Sequence, residues 1–251
     1  MEKYLIIFGS FFFVLAFIGV IIAITNRKGK DFLLFVNAIN DSSTDRIREL
    51  IKSKRDINDS NQTGRTPLMW AMIRGEHEIA KLLIESGSFI NGQDKSGITA
   101  ILGEAISNRP EGVNFLLQYS ANTEIKSKEG ETPIIAAIKN NNLYMAELLI
   151  KNKASLKCKD NNLRTPLMHS VISRNPELVK LICDNTDYYD DKDINFQTAL
   201  IMATVISDEK IVKILTERNA DKSIVDRWGR SALDWAITKN NAVIVALLEG
   251  M

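Results

Sequence analysis

Two hydrophobic rhythms divide the chain. From Tyr4 to Thr25 the run YLIIFGSFFFVLAFIGVIIAIT carries no charge and is apolar on every helical face. At about 1.5 Å per residue, a helix of this length can cross a hydrocarbon core of about 30 Å. The run exceeds the apolar region of a signal peptide, and Ala23-Ile24-Thr25 is a poor cleavage site. The pattern predicts a transmembrane helix over 4–25, a short basic juxtamembrane linker over 26–30 and a separate domain over 31–251. Arg27, Lys28 and Lys30 outweigh Lys3, which Glu2 offsets. Positive flanks stay inside, so this expectation is a single-pass membrane protein with its C-terminal domain in the cytoplasm; the reverse orientation would put it in the periplasm.

Beyond position 30 the apolar residues fall into short paired blocks at helical spacing, and the blocks repeat. Thr66, Thr99, Thr132, Thr165, Thr198 and Ser231 succeed one another every 33 residues without insertion. The text around them recurs as TPLMWA, TPIIAA, TPLMHS, TALIMA and SALDWA. A second apolar block follows each start: IAKLLI, MAELLI, LVKLIC, IVKILT and IVALLE. Thr can cap an orphan backbone N–H, and Pro at the first helical position has no N–H to waste. Gly75, Asn108, Asn141 and Asn240 stand where the first helices end, a place that often needs a left-handed residue. Ala71, Ala137, Ala203 and Ala236 are small where neighbouring helices must approach. One such helix pair cannot bury its apolar face alone, whereas a stack of them can.

This text resembles the ankyrin repeat over about 31–251. The resemblance rests on the period, the Thr-Pro-Leu start, the two helices, the turn glycines Gly64, Gly97, Gly130 and Gly229, and the turn aspartates Asp94, Asp160, Asp193 and Asp226. It implies an all-α solenoid of helix-turn-helix units with β-turn fingers. The expected division is an N-cap over 31–60, repeats over 61–93, 94–126, 127–159, 160–192 and 193–225, and a partial repeat over 226–251. Three departures stand out. Glu104 sits where Ala is expected, and a lone buried carboxylate is costly. Leu163 and Phe196 replace turn glycines, which predicts two irregular fingers. The His that often follows Thr-Pro-Leu in the family is absent throughout.

Composition adds exclusions. Lys+Arg 32 against Asp+Glu 31 gives a net charge of +1, which argues against nucleic-acid binding through bulk charge. Two Cys and two His leave no disulfide framework and no metal-ligand spacing, so no metal or cofactor is expected. No catalytic motif is present, and the chain is expected not to be an enzyme or to take a small-molecule substrate. His169 is expected to be packed or hydrogen-bonded, and Trp70 and Trp235 to pack between repeats. The stretch CDNTDYYDDKD lacks a calcium-loop spacing and reads first as a solvated acidic edge, second as a contact patch.

What remains is binding. The resemblance implies a concave surface of finger tips and first-helix faces that takes a partner protein. Mapped onto this sequence, its candidate residues begin with Arg65, Ile73, Arg74, Ile98 and Ile106. They continue with Arg164, Ile172, Ile194, Val205 and Ile206, and end with Arg227, Trp228 and Arg230. Apolar side chains on finger tips are not required by folding, and aromatic residues beside Arg are what binding hot spots look like. The leading expectation is a non-catalytic, membrane-anchored protein-interaction module. A bacterial immunity protein that blocks a cognate toxin or secreted effector is the alternative, and an enzyme or enzyme subunit using Glu104, His169 or the acidic edge is a third.

Overall fold

The computed structural model describes residues 29–250. The predicted transmembrane segment 4–25 lies outside the described residues. Among those described, no helix is long and apolar enough to cross a membrane; the longest, Lys30–Asn40, rises only about 16 Å. The expectation of a single-pass membrane protein with a cytoplasmic domain is corrected accordingly.

The described residues form fourteen short helices and no strand beyond one isolated bridge, Val225 with Ser231. The described residues divide into two compact units, one ending at Lys95 and the other beginning at Ser96. The first contains α1 (Lys30–Asn40), α2 (Thr44–Lys52), α3 (Pro67–Arg74) and α4 (His77–Glu85). In it α1 packs on α3 and α2 on α4. The N-terminus of α1 is closed from a distance: the Asp59 carboxylate accepts the backbone N–H groups of Gly29, Asp31 and Phe32 at 2.9–3.1 Å. A carboxylate on the first turn satisfies orphan donors and meets the positive end of the helix dipole.

The second unit holds five helix pairs: α5 (Ala100–Ile106) with α6 (Pro110–Gln118), α7 (Pro133–Lys139) with α8 (Leu143–Lys151), α9 (Pro166–Ile172) with α10 (Pro176–Cys183), α11 (Ala199–Val205) with α12 (Glu209–Glu217), and α13 (Ala232–Thr238) with α14 (Ala242–Glu249). Odd-numbered helices pack on the next odd-numbered helix and even on even. Each 33-residue period therefore adds one layer to a continuous core.

Local chemistry sets the boundaries. Thr99, Thr165 and Thr198 accept the N–H three residues on at 3.3 Å, and Ser231 forms a capping box with Asp234. Thr132 departs from the expectation, because its hydroxyl pairs with Cys158 Sγ at 3.3 Å instead. First helices end in left-handed residues, Asn108, Asn141 and Asn240 as expected, and also Arg174 and Ser207. The inward positions Ala137, Ser170, Ala203 and Ala236 are fully buried, as are Met145, Leu178, Ile211 and Ile244 on the second helices.

One layer breaks this rule twice. Glu104 occupies the small-residue position and is buried, while Gly112 occupies the large apolar position. A Cβ on Gly112 would stand 2.0 Å from Glu104 Oε2. The glutamate thus fills the volume that a large residue would take in the other layers. Arg109 Nη2 pairs with its carboxylate at 2.6 Å.

Candidate functional site

Each finger of the second unit is built by one side chain. Asp160 Oδ1 accepts the N–H groups of Asn162 and Arg164 at 2.8 and 2.9 Å. Asp193 does the same for Asn195 and Gln197, and Asp226 for Trp228 and Arg230. These three aspartates are nearly or wholly buried and committed to the turns. Successive fingers are laced through the backbone, Ile194 N to Asn162 O at 3.0 Å and Arg227 N to Asn195 O at 2.9 Å.

The second oxygen of each carboxylate reaches the first helix nine residues on. Asp226 Oδ2 accepts Trp235 Nε1 at 2.8 Å, and Asp160 Oδ2 lies 3.0 Å from His169 Nε2. Met202 holds that position in the finger of Asp193, and there Arg164 Nε approaches Oδ2 at 3.7 Å. Trp235 is therefore half-buried and holds its finger, rather than lying in the core. His169 is buried and hydrogen-bonded, as expected. Burial holds its imidazole below the usual histidine range although Asp160 pulls the other way.

Leu163 and Phe196 correct the expectation of irregular fingers. Both adopt φ 59°, beside 78° at Gly130 and 71° at Gly229. Both close the turn that glycine closes, Leu163 N to Asp160 O and Phe196 N to Asp193 O at 2.9 Å. A left-handed backbone costs an ordinary L-residue about 1–2 kcal/mol. Their side chains recover little of this by burial, being 48% and 55% exposed.

Together with Ile194 and Trp228 (51% and 58% exposed), they form a row of large apolar side chains on the last three fingers. Sequence reasoning singled out Ile194 and Trp228 and missed Leu163 and Phe196 as surface groups. The signal is present in the sequence, an apolar residue where the turn wants glycine, but without the structure it points to a broken turn.

The remaining candidates are distributed as follows. Arg65, Ile73 and Arg74 are exposed in the first unit, where Arg65 Nε lies 3.9 Å from Asp94 Oδ2. In the second unit Ile106 and Ile172 are exposed at the ends of α5 and α9, whereas Ile98, Val205 and Ile206 are half-buried. Arg227 lies over the Trp228 ring at 5.7 Å, and Arg230 over Trp235 at 4.7 Å. Both arginines are exposed, and Arg164 is half-buried.

The acidic stretch is largely used up within the fold. Asp184 pairs with Arg218, Asp191 with Lys159 at 2.6 Å, and Asp190 accepts Asp221 N at 2.9 Å. Among the described residues no group of three His, Cys, Asp or Glu is placed to hold a metal ion. Burial raises both thiols, Cys183 to about 11. Glu104, the other group considered for chemistry, is pushed up to about 7 by burial against the opposing pull of Arg109.

The ankyrin repeats family profile, of three copies, matches residues 34–127 and again 102–195. These spans together cover well over half the chain, and the protein belongs to the ankyrin-repeat family. Among solved structures it is similar to the ankyrin repeat domain of Bcl-3, a member of the IkappaB protein family. The match has a TM-score of 0.79 at 20% identity, over 86% of this chain and 98% of that one. At that identity the likeness establishes the fold. No curated protein matches the sequence.

Proposed function

We propose that this protein is a non-catalytic binding module that holds a partner protein on its ankyrin fingers, chiefly through the last three. The observation that carries the reading is the exposed row of Leu163, Ile194, Phe196 and Trp228, two of them kept in a backbone conformation that disfavours them. Folding gains little from these half-exposed side chains at these positions, whereas exposed apolar groups on adjacent fingers beside arginine suit a protein interface. We propose the same organisation as before: a cap over 31–60, five repeats over 61–225 and a partial repeat over 226–251. The first-helix ends Ile106 and Ile172, and the half-buried Val205 and Ile206, would flank the contact.

The test is a comparison of two tryptophans seven positions apart. A partner recovered with the intact chain from native extract should bind the Trp228→Ala variant about thirtyfold more weakly, about 2 kcal/mol, with the thermal melt unchanged. Trp235→Ala should lower the melt, because it removes the hydrogen bond to Asp226. Equal destabilisation by both changes, with undiminished partner binding by folded Trp228→Ala, would remove the finger row from the interface.

A further inference from the structure

The charges around the finger row specify what kind of segment it takes. The aspartates of the last three fingers are turned inward and consumed by the turns. The other charged side chains at the tips are Arg164, which approaches Asp193 Oδ2 at 3.7 Å, and the exposed Arg227 and Arg230. Arg227 and Arg230 stand against indole rings; Arg227 donates from Nη1 to Asn195 Oδ1 at 3.2 Å, and the five N–H groups of a guanidinium leave it further donors to offer. Asp234, an exposed carboxylate close to Arg230, is engaged by Ser231 through both its backbone N–H and its hydroxyl, at 2.8 and 2.6 Å. The tips therefore offer apolar side chains interleaved with fork-shaped cations. A carboxylate meets such a fork with two parallel hydrogen bonds, and exposed apolar rows are complemented by apolar side chains spaced along an extended strand.

We propose that the last three fingers bind a polypeptide segment in which Asp or Glu alternates with large apolar residues. The carboxylates would face Arg227 and Arg230, and the apolar side chains would lie on Leu163, Phe196 and Trp228. This inference rests on the functional reading above and adds the chemistry of the partner. It also accounts for a contrast within the unit: the finger at 127–132 sets Glu129 and Glu131 against the single cation Lys128 and has glycine at its turn. That finger lacks both the apolar tip and the cationic balance, so the acidic segment would end before it.

A random dodecapeptide phage library panned on the full chain tests the proposal, with selected peptides remeasured by fluorescence anisotropy. The expected result is enrichment of Asp or Glu next to Leu, Phe or Trp. Affinity should fall about tenfold or more in an Arg227→Glu, Arg230→Glu variant and between 0.05 and 0.5 M salt, because exposed charge pairs are screened. Circular dichroism and melting would confirm that the variants are folded. Enrichment of basic or uncharged peptides that still require Trp228 and Phe196 would overturn the acidic specificity and leave the finger site standing. Trp228-dependent binding of a dT20 oligonucleotide in preference to all selected peptides would overturn it in favour of nucleic acid. Absence of enrichment, or binding indifferent to every finger variant, would overturn both the specificity and the site.

Discussion

At Leu163 and Phe196 the side chain and the backbone want different things. The turn requires a positive φ, which glycine supplies at Gly130 and Gly229 without steric cost. Leu163→Gly and Phe196→Gly should therefore leave stability within about 1 kcal/mol of the parent, relief of the left-handed backbone being offset by the freer unfolded chain. Gly130→Ala should be clearly destabilising, since its Cβ would stand 2.7 Å from Asn161 N. Denaturant titration of the three variants checks this. A second residue-scale expectation concerns pH. The folded Glu104 carboxyl titrates at about 7 against an ordinary 4.5, so its contribution favours the folded state below about 4.5 and is lost as pH rises through about 7. His169 acts in the opposite sense: its folded value lies below 6.5, so its contribution is present above that pH and lost as pH falls. Glu104→Gln should thus make stability rise more steeply between pH 5 and 7, and melting temperature against pH reads the change directly. An unchanged slope in the variant would mean that Glu104 is ionised throughout.

Between helices the unit of reasoning becomes the exchanged pair. In α5 and α6 an alanine position holds Glu104 and a large apolar position holds Gly112, so neither residue makes sense without the other. Gly112→Ile alone should be severely destabilising through the clash with the carboxylate, and Glu104→Ala alone should leave a cavity costing about 2–4 kcal/mol. The double change restores the arrangement of the other layers and should recover most of the loss. A double-mutant cycle in urea should show a coupling of about 2 kcal/mol or more. Near-additivity would mean that the two positions do not share the volume. The cap on α1 is a simpler case. Asp59→Ala removes the acceptor for three backbone donors and should cost the first unit about 2 kcal/mol, seen as faster amide exchange in α1. The sequence made the helices readable because period, Thr-Pro starts and apolar spacing are all local. It hid Asp59 because a cap supplied from 27 or more residues away leaves no local mark. The exchange at Glu104 and Gly112 was half legible: the glutamate was conspicuous, while the missing large residue showed only when the second helices were aligned.

Over the whole molecule the repeat was the most legible feature, since each 33-residue period states its layer independently of the rest. The site was less so. Ile194 and Trp228 could be placed on finger tips by register alone, but exposure depends on how neighbouring fingers cover one another, which is why Val205 and Ile206 are half-buried. The same layered construction governs how stability is distributed. Within the unit from Ser96 onward each helix pair touches only its neighbours, so stability is a sum of layer and interface terms. The last pair, α13 and α14, has one packed side, and its outer residues Ile237 and Val243 are 57% and 52% exposed. Internal layers are covered on both sides, as the fully buried Ile138, Leu149 and Val171 show. Leu149→Ala in α8 should therefore lower the main unfolding transition by about 3 kcal/mol. Ile244→Ala in α14 removes comparable apolar contact at the end of the stack, and its cost should appear as local fraying. Hydrogen exchange would then accelerate across 226–250 and leave α7 to α10 protected, while the main transition moves little. Uniform acceleration across the unit would show that the end layer unfolds only with the rest. Because Trp228 belongs to that last layer, a frayed end would also weaken partner binding without any change at the finger tips.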